Sequence, residues 1–125
     1  MIEKYQQIVK KLISLTDEGR IEWEKTSGNE YKVGIGNNYI SVLYHEGSPR
    51  SPYLITAPDV SFVKLLLWNQ NGELLDEVKV ENREYGSNDY ELLRNLYIAA
   101  RRSNGKVYEM LDAIITELDN AKKES

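Results

Sequence analysis

The sequence predicts an α+β fold: an N-terminal helix, an antiparallel β-meander of about five strands, and a long C-terminal helix, with the helices packed on one sheet face. Three observations predict it. Apolar residues recur at helical spacing in 2–17 and again from 88 to 119. Between these stretches they alternate at strand spacing, punctuated by Gly and Asn turn pairs. Two amphipathic helices can then bury their stripes on one face of the sheet. The 125 residues read as one domain, 1–125, long enough to bury a core without cross-links.

In the first helix Ile2, Tyr5, Val9, Leu12 and Ile13 share a face, with Ile8 and Leu15 beside it and Lys4, Gln7, Lys10, Lys11 and Ser14 opposite. Gly19 is placed to end it in a left-handed conformation. Ile21 and Trp23 then alternate with charged residues as a first strand. Thr26-Ser27-Gly28-Asn29 turns the chain. Tyr31, Val33 and Ile35 form a second strand, Gly36-Asn37-Asn38 a hairpin, and Tyr39 to His45 a third strand. Pro49, Pro52 and Pro58 break the pattern over 46–59, where Tyr53 to Thr56 offers a brief strand. Val60 to Trp68 is apolar on both faces: Val60, Phe62, Leu66 and Trp68 on one, Val63, Leu65 and Leu67 on the other. Such a strand is covered twice, or meets another subunit. Asn71-Gly72 turns the chain into a returning strand from Leu74 to Glu81.

Asn88, followed by Glu91, is a capping signal for the last helix. From there Leu93, Tyr97, Ala100, Asn104, Val107, Leu111, Ile114 and Leu118 recur at alternating steps of four and three. The phase runs through Ser103-Asn104-Gly105 unbroken, which favours one helix, kinked there, over two helices joined by a turn. Asn104 on that seam is a candidate for fixing register with a partner helix.

Composition narrows the function. The chain has no cysteine and one histidine, which excludes zinc sites built on Cys or several His. The formal charge of −4 argues against duplex nucleic acid, which needs a concentrated basic surface. No apolar run approaches the ~20 residues of a bilayer span, and Met1-Ile2-Glu3-Lys4 does not read as a signal peptide. A cytoplasmic protein is expected. Gly34-Ile35-Gly36 lacks the third glycine and the following helix of a phosphate loop. Asp76, alternating with Val78 and Val80, is the best candidate for a partly buried carboxyl, yet no second carboxyl is spaced to work with it. We therefore read a non-enzyme with no cofactor and no metal site.

Nine Tyr against one Phe favour half-buried positions with a polar tip, at edges, interfaces or ligand pockets. Tyr44, His45, Arg50 and Tyr53 cluster around Gly and Pro, where aromatic faces can stack and a guanidinium can pair with phosphate. Trp23 and Arg101 complete the set of expected ligand-binding side chains. The alternative for these residues is an ordered loop and a solvated helix face.

The segments LTDEGRIEWE, NQNGELLDE, LLRNLYIAARR and VYEMLDAIITEL resemble small, largely uncharacterised proteins of bacteria, phages and mobile elements. The resemblance implies an α+β helper, regulator or defence-related protein and supplies no catalytic residue. Two expectations rest on the residues themselves, the first on the tyrosine-rich composition and the Arg50 loop, the second on the acidic charge and the long seam with Asn104. One is a homo-oligomeric binder of a small nucleotide-type ligand, of the kind that sequesters a signal. The other is a protein-interaction module, such as a toxin neutraliser, immunity protein or adaptor. Val63-Leu65-Leu67 and the long helix are the surfaces expected to need cover from another subunit.

Overall fold

The structure is a computed structural model and describes residues 1–48, 60–82 and 88–123. Its elements run α1 (Glu3–Asp17), β1 (Glu24–Ser27), β2 (Glu30–Ile35), β3 (Asn38–His45), β4 (Phe62–Trp68), β5 (Leu74–Glu81), α2 (Asp89–Asn104) and α3 (Val107–Lys123). The expected brief strand at Tyr53 to Thr56 lies outside the described residues.

The five strands form one antiparallel sheet in sequence order, β1-β2-β3-β4-β5. Its turns follow from local chemistry. Gly36 (φ +60°) opens a two-residue loop between Ile35 and Asn38, and only glycine takes that conformation at no steric cost. Between β4 and β5 the Asn69 side chain accepts the backbone N–H groups of Asn71 and Glu73, and Gly72 sits at φ +81°. The end of α1 is a Schellman motif: Gly19 (φ +73°) donates to the Thr16 carbonyl and Arg20 to that of Leu15. The first strand starts later than its alternation suggests, at Glu24. Ile21 and Trp23 lie before it, and Trp23 packs inward.

Register places Tyr31, Val33, Ile40, Val42, Val63, Leu65 and Val80 on one sheet face. That face meets α2, whose Leu93, Leu96, Tyr97 and Ala100 are buried, and α1 joins through Val9 and Leu12. Val63-Leu65-Leu67 is thus the covered side of β4, and it needs no second subunit. Phe62, Leu66 and Trp68 face the open side.

The C-terminal seam is two helices. Gly105 and Lys106 form a turn in which Lys106 adopts φ +53°. The periodic phase survives this break, but its environment does not. The α2 half of the seam is core, whereas Met110, Leu111, Ile114, Ile115 and Leu118 of α3 are 49–65% exposed. The principal contact of α3 is with α2. Within the chain the Asn104 amide donates to the Trp23 carbonyl at 3.0 Å and ties α2 to the entry of β1.

Candidate functional site at the tyrosine–arginine edge

Tyr90, Arg94, Tyr97 and Arg101 are spaced four, three and four apart and so line one stripe of α2. The sheet brings Tyr31 and Tyr44 up against that stripe. The Tyr97 ring lies 5.6 Å from Tyr31 and 5.3 Å from Tyr44, centroid to centroid. The Arg94 guanidinium sits 5.8 Å from the Tyr44 ring and that of Arg101 6.0 Å from the Tyr97 ring. These are cation–π distances. Four of the nine tyrosines thus share one edge with two arginines.

A hollow of about 500 Å³ opens at this edge, lined by Tyr44, Ser61, Asn82, Tyr90, Glu91, Arg94 and Asn95. Burial pushes the Tyr90 hydroxyl above its ordinary pKa, and its hydrogen bond with Tyr44 adds to the shift. Burial also raises that of Tyr97; the neighbouring Tyr31 and Tyr44 add to this, and the Arg101 charge opposes it. Tyr90 and Tyr97 therefore stay protonated at neutral pH, and Tyr90 offers an O–H donor beside the Arg94 cation. Glu46 and Glu91 stand close by. Among the described residues, these two acids stand against Arg94 and Arg101 along the edge.

Of the side chains expected to bind ligand, the structure brings two to this edge. Tyr44 lines the hollow and Arg101 extends the stripe. Trp23 is excluded: it is 2% exposed, and its indole N–H donates to Thr16 Oγ1 at 2.9 Å inside the core. His45 is on the opposite face of the sheet from Tyr44 and stacks on Phe62 at 4.7 Å. Arg50 and Tyr53 lie outside the described residues. Sequence reasoning missed Tyr90, Arg94, Asn82 and Asn95. The spacing of Tyr90, Arg94, Tyr97 and Arg101 carried the signal, but it runs beside the apolar seam and was hidden by it.

The open sheet face is a second place to look. Lys32 lies 4.9 Å from both the Tyr39 and Trp68 rings, and Lys79 lies 4.3 Å from Phe62. Aromatic rings with lysines suggest single-stranded nucleic acid. The acids decide against it: Lys32 pairs in register with Glu24, Lys64 bonds Glu77 at 2.6 Å, and Lys79 lies 3.9 Å from Glu81. An acid therefore stands beside each of these three lysines, by ion pair at Lys64 and Lys79 and by register at Lys32. Asp76 is exposed and accepts the Tyr5 hydroxyl. No group of three or more acidic or histidine side chains is placed to hold a metal among the described residues. No helix among them is long and apolar enough to cross a membrane.

No protein-family model, no curated protein and no solved structure gives a significant match to this chain.

Proposed function

We propose that the chain is a non-enzymatic binding protein that holds a small nucleotide-type ligand at the tyrosine–arginine edge. The observation that carries this reading is the convergence of Tyr44, Tyr90 and Arg94 on one hollow of about 500 Å³, a size suited to a ligand of a few hundred daltons. A planar base has the Tyr44 ring to pack against, and a phosphate or ribose has the guanidinium, the tyrosine hydroxyls and the Asn82 and Asn95 amides. Sequestration of a nucleotide signal in the cytoplasm is the role that the tyrosine-rich composition supports, and the defence-related setting that the resemblance implies is compatible with it.

Thermal-shift measurements against cyclic nucleotides and ADP-ribose-type compounds test it. A ligand at 100-fold over its Kd adds about 2.7 kcal/mol of stability. Arg94→Ala should abolish the shift while leaving the melting temperature of the free protein within about 1 °C, since Arg94 is exposed. A full panel without any shift overturns the reading.

A second reading, a protein-interaction module, is favoured by one specific observation: the apolar arc of α3 stands exposed, with no cover among the described residues.

A further inference from the structure

The apolar arc of α3 is wide and continuous. Met110, Leu111, Ile114, Ile115 and Leu118 are 60, 49, 52, 55 and 65% exposed, and Glu109, Asp112, Thr116, Asn120 and Lys123 occupy the opposite side. At roughly 100 Å² per side chain, the five offer on the order of 500 Å² per chain, within the range where a patch on a monomer marks a binding surface. Two such arcs facing each other bury about 1,000 Å², the lower bound for a specific protein interface.

The pattern within the arc says what covers it. Leu111 and Leu118 fall at heptad position a, and Val107, Ile114 and Ala121 at d. Position g then holds Met110 and Glu117, and position e holds Ile115 and Lys122. In a parallel, in-register pair each g residue meets the e residue five places on in the other helix. Met110 meets Ile115, and Glu117 meets Lys122. The apolar flank faces an apolar flank, and the acid faces a base, twice over by symmetry. An antiparallel pair sets g against g and e against e, which leaves Glu117 without its cation. A lipid surface fits less well. Glu109, Asp112, Glu117 and Asp119 outnumber Lys122 and Lys123 along α3, and an interfacial helix on anionic lipid wants the opposite sign.

We propose that α3 joins the α3 of a second copy of this chain in parallel and in register, through Leu111, Ile114 and Leu118, with Glu117 paired to Lys122 of the other copy. This assembly is independent of the nucleotide-type ligand, whose edge lies on α2 and the sheet. It also commits the uncovered arc to one occupant. The protomers then stand side by side, with their α3 helices pointing the same way.

Sedimentation equilibrium of the full chain provides the first test. The expected mass is twice the chain's 14.4 kDa, returned to the single-chain value by Ile114→Asp with an unchanged near-UV spectrum, since Ile114 is no part of the core. Direction is read by Ala121→Cys. The chain has no cysteine, so mild oxidation links two copies through position 121 only when the helices run in parallel. Glu117→Lys should weaken association by about fivefold at low salt, and adding Lys122→Glu should restore it. A wild-type mass of 14.4 kDa at millimolar concentration overturns the proposal, as does association that survives Ile114→Asp or an Ala121→Cys chain that fails to cross-link. Nucleotide thermal shifts on Ile114→Asp separate the two proposals: they persist if the ligand edge is real and α3 serves only assembly, and they are absent from both chains if the ligand reading alone fails.

Discussion

Thr16 is a polar residue at a core position, and its hydroxyl explains why it is tolerated there. Its Oγ1 donates to the Leu12 carbonyl at 2.6 Å and accepts the Trp23 indole N–H at 2.9 Å. Both side chains are buried, so the pair fixes the rotamer of the largest core residue. Thr16→Val keeps the volume and strands the indole donor. We expect a loss of about 1–3 kcal/mol in denaturant unfolding. Tyr5 and Asp76 form a second residue-scale device, at the surface. The Tyr5 hydroxyl holds the Asp76 carboxyl below its ordinary value, and the same bond pushes Tyr5 up to about 12. The depressed Asp76 contributes stability above its unfolded value of about 3.9, which is lost as pH falls through the lower folded value. The raised Tyr5 contributes stability below its unfolded value of about 10, which is lost as pH climbs through the higher folded one. Tyr5→Phe should therefore cost a constant amount from about pH 5 to pH 9, and the gap to wild type should close at both extremes. Urea titrations across pH read this out. A gap that does not vary with pH would show that the hydroxyl contributes only packing.

The elements show what a sequence pattern can and cannot reveal. Periodicity places α1, the strands and the onset of α2 because each buries one face, and burial of one face is what alternation and helical spacing encode. The seam from Leu93 to Leu118 is as regular as any of these, yet it spans two helices with different surroundings. Phase cannot report a turn that keeps it. Nor can it distinguish Leu93, which is fully buried, from Leu111, which is half exposed. The break was visible as Asn104-Gly105, but its strained residue is its neighbour. Lys106 takes φ +53°, while Gly105 keeps a helical φ of −75°. Gly105 serves close approach instead, because a Cβ there would stand 3.3 Å from the Arg101 carbonyl oxygen. A left-handed conformation costs a non-glycine residue about 1–2 kcal/mol, and glycine gives part of this back as entropy of the unfolded chain. Lys106→Gly is expected to stabilise the protein by about 0.5 kcal/mol, whereas Gly105→Ala should destabilise it. Thermal melts of the two variants check the assignment, and the reverse order would mean that the chain straightens through this junction. The candidate site was half legible for a similar reason. Tyr44 and Arg101 stood out by residue type, whereas Tyr90 and Arg94 acquire meaning only when the sheet brings Tyr44 beneath them.

At the scale of the molecule, the two faces of the sheet are finished in different ways, and this bears on how copies meet. The inner face carries the core, whose buried residues all lie between Val9 and Ala100. The outer face is screened by its own lysines: the Lys32 and Lys79 ammonium groups sit over aromatic rings, and Ser41 accepts the Trp68 indole N–H at 2.8 Å. Long stems laid on rings cover apolar surface while their charges stay in water. Leu66 on that side is only 8% exposed, so the sheet needs no lid. Among the described residues, five of the eleven large apolar side chains that stand exposed lie on α3, outside the core that holds the body together. Assembly through α3 should consequently add stability without being required for folding. The wild-type melting temperature is expected to rise with chain concentration, as mass action demands of a folded state that associates. Leu118→Asp should melt at one temperature at every concentration, equal to the dilute limit of the wild type. A steep loss of stability in Leu118→Asp, even at high dilution, would place α3 inside the cooperative unit and contradict the division drawn here between body and assembly helix.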